Sequence, residues 1–254
     1  MSESDFLRRK FFMHPAHSAV GVATTTLQEG LRIREAPPRD ARALSVCLLS
    51  DAAAGKSRAL LDVFAGFMES NYAVRCSKTW DGASPAVSSL DALEWCDCLL
   101  MFAQRMTLDT DQLQRIRRYC ARGGAIVGLR SAGRALQQWP ELDAKIFGGN
   151  HRGECNNRST EVNIADDHRD HILLNDVEPF ISRCPLCKHG AIAADAKVLL
   201  TGTSYGRVEP VAWAREHNGG RIFYSSLGHP DDFYHPSFLQ LLVNAISWTS
   251  QRPL

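Results

Sequence analysis

The chain has 254 residues, 44% of them hydrophobic and 22% charged, which is enough apolar material for a full core and excludes a disordered or fibrous protein. Lysine plus arginine is 29 against 28 for aspartate plus glutamate, a net charge of +1, so nothing marks a nucleic-acid partner or an anionic membrane surface. No stretch reaches the roughly 18 consecutive apolar residues that a membrane-spanning helix requires.

Residues 1–42 read as an N-terminal extension with Pro37-Pro38 near its end, and 43–250 as one α/β domain. Arg8-Arg9-Lys10-Phe11-Phe12 resembles a twin-arginine export signal. His14, Pro15, His17 and Ser18 interrupt the apolar stretch behind it, so the expected location is cytoplasmic, with export as the alternative. A first buried strand follows at Leu44–Leu49. The run from Ser50 through Gly55-Lys56-Ser57 has the tail of a phosphate-binding loop but lacks its first glycine, so no nucleotide is expected.

Leu60, Leu61, Phe64, Phe67 and Met68 recur at helical spacing, and strands are expected over 72–76 and 96–102. Leu113, Ile116 and Cys120 share a second helix face, with Thr107 or Asp109 as its cap and Gly123-Gly124 as its end. The continuous apolar run 125–129 suits a parallel strand covered on both faces. This alternation predicts a doubly wound sandwich around a mostly parallel sheet, with ligands at the carboxyl ends of the strands. Residues 147–190 are less regular. Strands return at 197–200, 208–215 and 221–226, the last two joined by a turn at Asn218-Gly219-Gly220, and a helix over 235–248 closes the chain.

Eight cysteines do not make a disulfide framework here. Cys47, Cys76, Cys96 and Cys98 fall in apolar runs and Cys120 on a helix, where thiols serve as small hydrophobes. Cys184-Pro185-Leu186-Cys187-Lys188-His189 resembles half a zinc site, but no second CxxC follows. Cys155, His168 and His171 would complete it only if loops converge, so Cys184, Cys187 and His189 are secondary metal candidates and no zinc is expected.

The segments Glu209-Pro210-Val211-Ala212-Trp213, Gly228-His229-Pro230-Asp231-Asp232-Phe233 and Leu241-Leu242-Val243-Asn244-Ala245 resemble the ThuA-like (trehalose-utilisation) family. Gly123-Gly124-Ala125-Ile126-Val127-Gly128-Leu129-Arg130-Ser131, Phe147-Gly148-Gly149-Asn150 and His171-Ile172-Leu173-Leu174-Asn175 are similar to its upstream blocks. The resemblance implies a flavodoxin-like fold of the class I glutamine amidotransferase-like type and a link to trehalose and related disaccharides. It implies no settled reaction, and fold likeness alone would license none.

In glutaminase relatives a cysteine occupies the sharp turn after a strand, and a His-Pro-Glu element supplies the base and its acid. At that turn this chain reads Gly128-Leu129-Arg130-Ser131, and a guanidinium cannot attack a carbonyl, so glutaminase activity is not expected. Arg130, Ser131 and Asn150 are candidate ligand-binding residues, joined by His151 and Glu154 on the glycine-rich loop. His229 stands in the place of the catalytic histidine, with Asp231 or Asp232 as its expected partner in general acid/base chemistry. The leading expectation is a protein that binds or transforms a sugar or keto-sugar as its small-molecule ligand. A non-catalytic accessory subunit of a sugar oxidoreductase or transporter is the alternative. A divalent metal and a homo-oligomer are left open by the sequence.

Overall fold

The computed structural model describes residues 43–51, 55–80, 90–156 and 158–254. The extension with its twin-arginine-like stretch lies outside the described residues, as do residues 52–54 of the phosphate-loop-like run.

Strand β1 (Leu44–Leu49) is buried along its whole length, and its side chains alternate between two cores. Leu44, Val46 and Leu48 face one, Cys47 and Leu49 the other, as a central strand covered on both faces requires. Helix α1 (Gly55–Asn71) packs Leu60, Leu61, Phe64 and Met68 onto the first core. Strand β1 pairs in parallel with β2 (Val74–Lys78) on one side and with β3 (Cys98–Met101) on the other. The expected strand over 96–102 is trimmed at its start by Asp97, whose carboxylate accepts the Ser45 N–H at 2.8 Å. The preceding Cys96 N–H turns back to the Ala92 carbonyl.

Helix α2 (Thr110–Ala121) covers the second face with Leu113, Ile116, Tyr119 and Cys120. Asp109 caps it by accepting the Gln112 N–H at 2.8 Å, and Gly123 leaves it at φ 78°. Strand β4 (Ile126–Leu129) follows. The 147–190 region then yields four short strands that periodicity does not announce: β5 (His151–Glu154), β6 (Thr160–Ile164), β7 (Phe180–Ser182) and β8 (Cys187–His189). Next come β9 (Lys197–Ser204), β10 (Arg207–His217), β11 (Gly220–Ser225) and helix α3 (Pro236–Ser250), which joins α1 on the first face.

The nine-stranded sheet runs β2-β1-β3-β4-β11-β10-β9-β6-β7, and β5 pairs separately with β8. The half from β2 to β11 is parallel, and the half beyond β11 is antiparallel. The expected α/β sandwich is therefore present, with an antiparallel wing in which the expected strands β9 and β10 are extended by β6 and β7 from the region that reads as irregular. A two-residue loop joins β10 to β11, with Asn218 at φ 51° and Gly219 at φ 78°, the pair of left-handed residues that a hairpin of this length selects. The other hairpin turn, Tyr205-Gly206 at φ 48° and 73°, has the same form with an aromatic where asparagine is usual.

Candidate functional site

The carboxyl ends of β4 and β11 are neighbours because the strands pair in parallel, Ser225 opposite Leu129. Directly after β4 the chain turns sharply into a short 3-10 segment at Arg130–Arg134, and Arg130 itself takes φ 52°. A non-glycine residue in the left-handed region costs on the order of 1 kcal/mol, so surrounding contacts must hold it there. The Tyr224 hydroxyl donates to the Arg130 carbonyl, and Gly228, at φ 122°, leaves room for the arginine stem. A Cβ on Gly228 would sit 3.2 Å from Arg130 Cγ.

The loop opposite is placed by packing. Gly128 in β4 has no side chain, and the Phe147 ring fills that space. Gly148 then turns at φ 70°, and Gly149 passes close against the Asp143 carboxylate. Asp143 Oδ2 also accepts the His151 N–H at 3.2 Å. The paired glycines thus serve both purposes read from the sequence, one for its positive φ and one for close approach. Arg215, almost fully buried in β10, ties the loop down. It donates to the Lys145 and Ile146 carbonyls and pairs with Asp195 at 2.9 Å. Trp213 Nε1 donates to the Phe147 carbonyl at 2.7 Å.

Two adjacent spaces result. The inner one has about 10 Å³ of free volume, room for about one water, and its walls include Arg130, Ser131, His151, Glu154 and Ser226. Cys184, Pro185 and Cys187 complete its floor. The outer groove, about 520 Å³, is bordered by Asn150, Asp143, Gly149 and residues 191–193. Arg134 and His151 line both. Among the described residues neither the Arg130 nor the Arg134 guanidinium forms an ion pair or a hydrogen bond.

Behind this wall the rings of Tyr224 and Trp213 lie 4.6 Å apart between centroids. His189 meets Trp213 edge-on at 5.2 Å and His151 at 6.0 Å. Burial holds both histidines below their ordinary value, so both are neutral at neutral pH. Both ring nitrogens of His189 are buried without a hydrogen-bond partner in the structure. Burial also pushes the Cys184 thiol up to about 12 and Cys187 to about 11, so both stay protonated. Among the described residues no three His, Cys, Asp or Glu side chains are grouped as a metal site would require. Cys155 sits just beyond β5, its N–H on the Leu186 carbonyl, while His171 packs on Trp248 at 5.6 Å.

Arg130, Ser131, His151 and Glu154 therefore meet at the inner space, while Asn150 borders the outer groove that His151 shares. The His229 group is arranged differently. Its imidazole is not among the side chains lining either space. His229 Nδ1 accepts the Asp231 N–H at 3.2 Å and lies 3.9 Å from Asp231 Oδ2, while Arg183 pairs with the same carboxylate oxygen at 3.2 Å. Asp232 is buried and does not face the imidazole. Its Oδ2 accepts the N–H groups of Gly228 and His229 at 2.9 and 2.8 Å and the Ser182 hydroxyl at 2.8 Å. It locks the turn rather than polarising the histidine. Arg134, Asp143 and Ser226 escape sequence reasoning. For Arg134 a signal existed, its spacing of four from Arg130 on a tight turn.

The sequence matches the trehalose-utilisation (ThuA) family over residues 52–249. No curated protein sequence matches it. A ThuA-like protein from Bacteroides uniformis is similar in structure at 17% identity and a TM-score of 0.64, over 84% of this chain and 94% of that one. One from Parabacteroides merdae is similar at 15% and 0.62, over 82% and 90%. A β-galactosidase from Rahnella sp. R3 is similar at 11% and 0.54, over 83% of this chain but 32% of the enzyme. With a family match over most of its length, and the class I glutamine amidotransferase-like fold in place, this chain belongs to the trehalose-utilisation (ThuA) family.

Proposed function

We propose that the chain binds a sugar or keto-sugar in the groove beside Arg130, with Asn150, His151 and the two arginines holding its hydroxyl and carbonyl groups. One observation carries this reading. The sharp turn that presents a thiol in glutaminases here presents an unpaired guanidinium, beside a groove within the size range of small-ligand sites. Arginine supplies a fork of donors and no nucleophile, which fits recognition and not covalent acyl chemistry. Membership in a family named for trehalose utilisation supports the ligand class. Thermal unfolding with trehalose, a 3-keto-disaccharide and an unrelated nucleotide tests it. A bound sugar at about one hundred times its Kd raises stability by about 2.7 kcal/mol. His151→Ala and Asn150→Ala should reduce that shift. Equal melting temperatures with and without every sugar would reject the proposal.

A catalytic reading rests on a second observation. With Nδ1 accepting the Asp231 N–H, the His229 ring carries its hydrogen on Nε2 and presents a donor. In this reading His229 acts as a hydrogen-bond donor through Nε2, with Asp232 fixing the backbone beneath it, and not as a base. Comparing product formation by the intact protein and His229→Ala separates binding from catalysis.

A further inference from the structure

The charges around the inner cavity are unbalanced in a way that names a class of ligand. Arg130 and Arg134 both line it, and among the described residues neither guanidinium has a partner. Of the nearby carboxylates, Glu154 is exposed at the rim, and Asp143 is turned to the His151 N–H and packed against Gly133 and Gly149. The remaining walls are neutral: Ser131, Ser226, the protonated thiols of Cys184 and Cys187, and the Tyr224 hydroxyl behind them. Arg130 is half-buried and Arg134 exposed, and with Glu154 as the one carboxylate among the lining residues the wall keeps an excess of positive charge that favours an anion; a guanidinium matches the planar fork of a carboxylate.

Size narrows the choice. The inner space admits about one water-sized atom, so a single oxygen of an oxyanion enters it, and a flat carboxylate leaves the least bulk at the mouth. The outer groove, which shares Arg134 and His151 with the inner space, has room for the polyol body. The geometry points to a sugar acid, an aldonate or uronate, whose carboxylate enters between Arg130 and Arg134 while its hydroxyls lie in the groove along Asn150 and His151. This inference rests on the carbohydrate reading above and sharpens its ligand class.

Calorimetric titration of the full chain with glucose, gluconate, glucuronate, glucose 6-phosphate and acetate tests it. A sugar carboxylate should bind at least about tenfold more tightly than glucose, equivalent to about 1.4 kcal/mol. Added salt should erode that preference, and so should Arg134→Gln and Arg130→Gln. The preference of the unaltered protein carries the test if either variant fails to fold. Equal affinity for glucose and the sugar acids overturns this inference and leaves the carbohydrate reading standing. Tighter binding of glucose 6-phosphate, or of acetate with no gain from the polyol, overturns the sugar-acid assignment. Binding of none of the sugars overturns both.

Discussion

The Asp232 carboxylate is buried in the turn that follows β11. A buried carboxylate is stable only when its oxygens are satisfied, and this one takes two backbone N–H groups and the Ser182 hydroxyl on a single oxygen. Its removal strands the donors of Gly228 and His229 in a dry turn. Asp232→Ala should lose roughly 3 kcal/mol, read as a lowered urea midpoint, whereas Asp231→Ala, at an exposed ion pair, should lose under about 1. Similar losses in both would remove the structural role. The sequence places the histidine and both acids in one short stretch and cannot say which carboxylate points inward. That choice is made by β7, whose Ser182 reaches Asp232 across fifty residues.

Among the elements, those legible in the sequence are the ones with continuous apolar runs or helical spacing: β1 to β4, β9 to β11, α1, α2 and α3. The short antiparallel strands are not, because three to five residues cannot establish a period and their outward faces stay wet. Ile181 in β7 is 67% exposed and does not read as a half-buried strand position in isolation. The Tyr205-Gly206 turn is hidden for a related reason, since tyrosine is not a residue that announces a left-handed conformation. The site suffers most from this. Cys184, Ser226 and His151 meet because of strand order and not because of spacing. Where the sequence does speak is at its glycines. Gly220 and Gly123 pass backbone against backbone, joining the end of α2 to the β10–β11 turn. Gly220→Ala should therefore cost about 1–3 kcal/mol in chemical denaturation, and a neutral effect would mean that this contact is slack.

Across the whole molecule, buried ionisable groups set a pH range for stability. Burial holds His151, His171, His189, His217 and His235 below the ordinary histidine value of 6.5. The unfolded chain thus takes up protons more readily, and stability is complete above about pH 6.5 and lost as pH falls through the folded-state values. On the other side, burial pushes Cys98, Cys120 and Cys184 up to about 12 from 9.0. Here the unfolded thiols ionise first, so stability is complete below 9.0 and declines as pH rises toward 12. Melting temperatures should form a plateau between about pH 6.5 and 9 with losses on both flanks. A maximum below pH 6 would contradict this assignment.

The pairing of Ile126 with Ile222 has one more consequence. The strands that frame the cavity are separated by an excursion that includes every strand of the antiparallel wing, and the tip of its β9–β10 hairpin, Tyr205, is 89% exposed. A protease nick there divides the protein into two fragments, with Arg130 and His151 on one and Ser226 on the other. Neither piece owns a complete binding wall, so a ligand would act as a suture between them, and its affinity would report how well the two fragments knit.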